Sequence, residues 1–303
     1  MLARGLGCLL LAAAALQAQG PATHFLIVGG LGGEPDYEQR FATYVRELEQ
    51  ISRAFTGDPS RVTALAGKTA SRAAIQAALE KLARAVGPSD ALAVFLVGHG
   101  AFDGKDYKFN VPGPDMTAEE LGALLDKVPA KRQLVVNMTS SSGVCAEKLA
   151  RGDRVVVTAT RSGTERNATV FARYWVEALR DPVADTDKNE SISALEAFKY
   201  TEDKVKRFYS DQKRLATEHP RLEGKLASSF VLARMGGAAA AAADPARRKL
   251  LAQRESIEQQ IDSLKLRKAA MPTEQYKKEL EHLLLELARV QEALEQGTAD
   301  ERR

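Results

Sequence analysis

Ala91-Leu92-Ala93-Val94-Phe95-Leu96-Val97-Gly98-His99-Gly100 and Arg132-Gln133-Leu134-Val135-Val136-Asn137-Met138-Thr139-Ser140-Ser141-Ser142-Gly143 decide the fold. Each contains an unbroken apolar run, Ala91 to Val97 in the first and Leu134 to Val136 in the second, and ends in a glycine- or hydroxyl-rich turn, the pattern of a strand buried on both faces. Working outward, similar runs at 24–29, 61–65, 154–159 and 228–234 read as further strands. Helical periodicity falls between them, near 36–54, 70–86, 117–127, 165–180 and 193–216. Strands separated by whole helices require right-handed crossovers, so the expectation is an α/β, doubly wound, mostly parallel sheet with helices on both faces.

Composition bounds what such a domain does. The 303 residues carry 43 basic and 40 acidic side chains, a formal net charge of +3, with 45% hydrophobic and 6% aromatic residues. That is ordinary globular composition. It supplies neither a basic field nor a stacking surface for nucleic acid, which argues against that class of partner.

Residues 1–18 read as an export signal, with Arg4 before an apolar run from Leu6 to Leu16 and a small residue, Ala18, at the expected cleavage point. The run is shorter than the roughly 20 residues of a spanning helix, so no membrane span is expected in the mature chain. The chain is therefore expected to be exported, either periplasmic or secreted. Cys8 goes with the signal, leaving Cys145 alone and excluding a disulfide framework.

The expected α/β domain covers 19–235. A Gly/Ala linker is expected at 236–244 and a helical hairpin at 245–298. Leu250, Ile257, Ile261 and Leu264 form one apolar stripe, and Tyr276, Leu280, Leu283, Leu287, Val290 and Leu294 form another at alternating spacings of four and three. Met271-Pro272-Thr273 breaks the pattern between them. Two such stripes either satisfy each other within an antiparallel hairpin or offer a coiled-coil surface for self-association or a protein partner.

Three other motifs fail on spacing. The third glycine of a dinucleotide turn begun at Gly30 would fall on Pro35, and the first glycine of a phosphate loop ending in Gly67-Lys68-Thr69 would fall on Val62. His24, His99, His219 and His282 have no ligand spacing among themselves or to Cys145.

A loop histidine just past the carboxyl end of a parallel strand stands where α/β sheets carry chemistry. Taken with the next strand and its Ser142-Gly143, Gly98-His99-Gly100 resembles the cysteine-peptidase clan of caspases, legumains and gingipains. The resemblance runs from about 24 to 234 and includes Val155-Val156-Val157-Thr158-Ala159-Thr160 as the following strand. It implies the caspase/legumain-like form of the doubly wound sheet. His99 and Ser140 would be its catalytic positions, and the backbone N–H groups of Gly100 and Ser140 its oxyanion donors.

The family's nucleophilic cysteine is replaced by Ser140, and the acid two residues earlier by Met138. A cysteine beside an imidazolium reaches the thiolate near neutral pH, its pKa falling from about 8.5. A serine instead needs an aligned base, usually oriented by a third group. Cys145, five residues on, reads as a buried small hydrophobe rather than a displaced nucleophile.

Asp185-Thr186-Asp187-Lys188-Asn189-Glu190-Ser191-Ile192-Ser193-Ala194-Leu195-Glu196 matches a calcium loop. Its ligands would be Asp185, Asp187, Asn189, the Ser191 carbonyl, Ser193 through water, and Glu196. Glu190 stands where glycine is normal, which would weaken affinity. The alternative is a polar turn in which Ser193 and Glu196 form a helix-capping box.

The leading reading is an exported caspase/legumain-like pseudopeptidase that binds a peptide or protein ligand. It requires no cofactor, and calcium is a candidate ion. The alternatives are a hydrolase using Ser140 with His99 as base, and an envelope assembly protein working through its hairpin.

Overall fold

The computed structural model describes residues 21–300, so the expected signal segment, 1–18, lies outside the described residues. The strands are β1 (Thr23–Gly29), β2 (Val62–Ala66), β3 (Ala91–Val97), β4 (Gly100–Phe102), β5 (Tyr107–Phe109), β6 (Met116–Thr117), β7 (Arg132–Asn137), β8 (Val155–Thr158), β9 (Ser191–Ser193), β10 (Arg221–Glu223) and β11 (Val231–Arg234). The helices of the α/β part are α1 (Pro35–Thr56), α2 (Arg72–Ala85), α3 (Ala118–Leu125), α4 (Cys145–Leu149), α5 (Phe171–Ala178) and α6 (Ala194–Asp211). After them come α7 (Gly236–Ala243), α8 (Pro245–Arg267) and α9 (Thr273–Asp300).

The main sheet has the order β10-β8-β7-β3-β1-β2. Its strands run parallel except β10, which is antiparallel to β8. All seven residues of β3 are buried, because the pleat sends alternate side chains to two different layers. Ala93 and Phe95 face Leu48, Trp175 and Phe198 on α1, α5 and α6. Leu92, Val94 and Leu96 face Ile75, Leu121 and Leu149 on α2, α3 and α4. Both faces are covered by helices, the expected doubly wound arrangement. Each large side chain fully withdrawn from water contributes about 1.5–3 kcal/mol, which is why the unbroken apolar run of β3 takes the centre of the sheet.

Three local expectations are corrected. Residues 228–234 do not add a strand to the main sheet. β11 instead pairs antiparallel with β9 in a separate two-stranded ribbon, and the edge position goes to β10. The helix expected at 165–180 begins only at Phe171, leaving 161–170 as a loop. Residues 236–243, expected as linker, are helical, with Ala238 and Ala241 buried against the hairpin. Alanine is the strongest helix former, and in this run it also has a surface to bury against.

Asp244 caps α8 by accepting a hydrogen bond from the Arg247 N–H at 2.8 Å, with Pro245 in the first turn. The α8 and α9 stripes face each other: Leu251, Ile257, Ile261 and Leu264 pack with Leu283, Val290 and Leu294. The hairpin thus satisfies its own seam. Among the described residues no helix is long and apolar enough to cross a membrane.

Candidate functional site at the carboxyl end of the sheet

β3 and β7 are neighbours, so the turns that follow them meet at one edge. The Met138 N–H donates to the Leu96 carbonyl at 2.9 Å, carrying the pairing to the lip of the site. Gly100 and Ser140 then touch directly. The Ser140 hydroxyl donates to the Gly100 carbonyl at 2.9 Å, and the Gly100 N–H donates back to Ser140 Oγ at 3.2 Å. Any side chain at position 100 would collide, since a Cβ there would stand 2.5 Å from the Ser140 carbonyl oxygen. Ser140 is only 3% exposed.

His99 is held elsewhere. Its ring lies edge-on to Tyr37 and Phe41 of α1, with centroids 4.7 and 5.1 Å away, and it hydrogen-bonds the Gly32 backbone. Burial lowers its pKa, and the bond to Gly32 acts in the opposite direction. The imidazole is therefore mostly neutral at pH 7. Among the described residues, no hydrogen bond joins His99 to Ser140. The two expected catalytic residues share an edge of the sheet without forming a dyad.

The surrounding polar groups fix the turn. Tyr107 Oη lies 2.6 Å from Thr139 Oγ1, which donates to Asn137 Oδ1 at 2.8 Å. Asn137 Nδ2 donates to Cys145 Sγ at 3.3 Å. Cys145 is fully buried, and that burial pushes its thiol pKa well above the ordinary value, so it is no displaced nucleophile. Met138 is buried in the layer beneath α1 and α5. It offers no charge to a ligand.

Ser141 adopts a left-handed conformation (φ 56°), and its N–H donates to the Glu165 carbonyl at 2.8 Å. Thr169 Oγ1 donates to the Met138 carbonyl at 2.7 Å, so the 161–170 loop lies against the serine turn.

This loop brings in a pair the sequence does not announce. Glu165 Oε1 lies 2.6 Å from His219 Nδ1, and its Oε2 accepts the N–H groups of Arg161 and His219 at 3.0 and 3.2 Å. Among the described residues, neither imidazole bonds to a serine.

Glu218, 2% exposed, accepts the Val170 N–H at 2.9 Å at the start of α5 and the Tyr209 hydroxyl at 3.3 Å. Among the described residues its Oε2 has no hydrogen-bond partner, and burial raises its pKa to about 7. Residues 165 and 219 are 54 positions apart and carry no shared motif, so only the fold pairs them.

The 185–196 loop lies away from this edge, beside β9, β11 and the C-terminal helices. One carboxylate oxygen from each of Asp185, Asp187 and Glu196 falls within 4.8 Å of the others. Burial and the nearby charges of Glu196 and Asp185 raise the Asp187 pKa. Asp185 and Asp187 accept N–H groups from within the loop. Asn189 N–H reaches Asp185 Oδ1 and Asp187 Oδ1 at 3.1 Å each, and Glu190 N–H reaches Asp185 Oδ2 at 2.9 Å.

Ser193 and Glu196 form the capping box at the start of α6, with Ser193 Oγ donating to Glu196 Oε2 at 2.8 Å. Ser191 Oγ is engaged by Arg254 at 3.2 Å. Glu190 takes the left-handed conformation (φ 60°) that the loop pattern assigns to glycine.

No protein-family model matches the chain, and no curated protein matches it in sequence. Among solved structures, the chain is similar to caspase-1 from Spodoptera frugiperda, at 14% identity and a TM-score of 0.47 over 71% of this chain and 90% of that one. A protein from Geobacter sulfurreducens is similar at 14% identity and a TM-score of 0.44, over 67% of this chain and 93% of that one.

Proposed function

We propose that the chain is an exported caspase/legumain-like domain without peptidase activity that holds a peptide or protein ligand along the carboxyl end of its sheet. The observation that carries this reading is the reciprocal pair of hydrogen bonds between Ser140 and Gly100. Those bonds occupy both the hydroxyl that would attack a carbonyl and one N–H that would receive the oxyanion. Serine activation also needs a base in hydrogen-bond reach, and His99 is committed to Gly32 and two aromatic rings. A hydrolase reading requires both residues to leave these partners at once.

The test is hydrolysis of a diverse peptide library by the natural sequence, Ser140→Ala and Ser140→Cys. The natural sequence is expected to match Ser140→Ala at background. Cleavage that disappears in Ser140→Ala establishes a serine hydrolase and overturns the proposal.

A second reading, weak calcium binding at 185–196, is favoured by the convergence of Asp185, Asp187 and Glu196 and by the left-handed turn at the sixth position. The affinity expected for a loop with this departure is in the 10⁻⁴–10⁻³ M range, about that of extracellular modules. Titration calorimetry giving no heat at millimolar calcium removes it.

A further inference from the structure

The C-terminal helices have an apolar core of their own, shared with neither layer around the sheet. What ties them to the α/β domain is polar and lies at the amino end of the sheet, opposite Ser140. Arg234, at the end of β11, pairs with Glu255 of α8. Its Nη1 donates to the Phe55 carbonyl at 3.2 Å, and its guanidinium lies 4.1 Å from the Phe55 ring centroid. Ser228 donates to Asp262 at 2.7 Å, and Arg254 donates to Ser191 at 3.2 Å.

Glu190 links this contact to the acidic loop. Its Oε2 accepts the Ala238 N–H at 2.7 Å, satisfying one of the unpaired donors of the first turn of α7. Its carbonyl accepts the Met235 N–H at 2.7 Å. A Cβ at Gly236 or Gly237 would stand 2.9 Å from the same carboxylate, so the glycine pair is what lets the side chain in. A left-handed glutamate is strained. Its carboxylate returns that cost through the helix it caps, which gives the departure from glycine a physical reason.

We infer that Glu190 and Arg234 form a polar latch holding α7, α8 and α9 at the amino end of the sheet, and that these helices come away as one folded unit when the latch is removed, the Ser228–Asp262 and Arg254–Ser191 bonds alone being too few to hold them. The inference depends on neither ligand binding at Ser140 nor calcium. Polar contacts between units with separate cores permit such rigid-body motion, whereas an apolar seam resists it.

The experiment uses the full chain with Glu190→Gly, a change the left-handed turn favours, and Glu190→Gly combined with Arg234→Gln. In Glu190→Gly, amide hydrogen exchange across 236–243 is expected to rise about fivefold, the value of one helix cap. Residues 257–264 and 283–294 should stay protected in both variants. In the double variant, small-angle X-ray scattering should report a larger maximum dimension. Native exchange across 236–243 in Glu190→Gly, or an unchanged scattering profile in the double variant, overturns the latch. Loss of protection along the α8 and α9 seam overturns the claim that the unit stays folded.

Discussion

Replacing Glu218 by glutamine should remove a pH dependence of stability whose size follows from its surroundings. The carboxyl is 2% exposed, one of its oxygens has no hydrogen-bond partner among the described residues, and burial raises its pKa from 4.5 to about 7. Between those values the folded chain keeps the proton while the unfolded chain releases it. Stability therefore falls as pH rises through this window and becomes level above the folded value. One pH unit between the folded and unfolded values corresponds to about 1.4 kcal/mol, so the window spans about 3 kcal/mol.

Glutamine has nearly the same shape and no charge. Its stability relative to the natural sequence should therefore improve by about 3 kcal/mol between about pH 4.5 and 8. Urea denaturation of both proteins at half-unit pH steps measures this directly. Histidine titration and surface charge are common to the two proteins and cancel in the difference. Equal pH slopes for the two proteins refute the reasoning, because the buried carboxyl would then be equally ionised in the folded and unfolded states.

Other outcomes follow from single contacts. Gly100→Ala should destabilise the fold by about 1–3 kcal/mol, read by denaturation, because its Cβ would meet the Ser140 carbonyl oxygen at 2.5 Å. Cys145 should resist a thiol reagent in the folded protein and react fully in denaturant, as its complete burial requires. Ser193→Ala should cost about 1 kcal/mol through loss of the α6 cap, measured by thermal unfolding without calcium. Asp185→Asn should abolish any calorimetric calcium signal, since it removes charge from the three-carboxylate cluster.

The strands at the centre of the sheet were legible because their burial is written in consecutive residues. Ala91 to Val97 and Leu134 to Val136 leave no polar face, and only a sheet covered on both sides accommodates such runs. The hairpin was legible for the same kind of reason, in stripes of fixed spacing. Strand β10 was not, because three residues with two charged ends carry no periodicity. The helix at Gly236–Ala243 was also missed, since eight glycines and alanines read as a linker until a surface appears for them to bury against.

Within the candidate site, sequence alone determined that a histidine and a serine would each stand just past the end of a strand, because apolar runs and turn chemistry are local properties; that the two strands are neighbours was decided by the fold. Sequence also determined that the residue in the turn after Asn137-Met138-Thr139 is a serine, Ser140. What only tertiary structure decided is where the side chains point: Ser140 to Gly100, His99 to α1, and Glu165 to a histidine 54 residues away. The same holds for Glu190, which reads as a defect in a calcium loop and becomes a helix cap only once α7 is in place. A hydrogen-bond partner is a matter of distance in space, and distance between segments far apart in sequence exists only after the chain has folded.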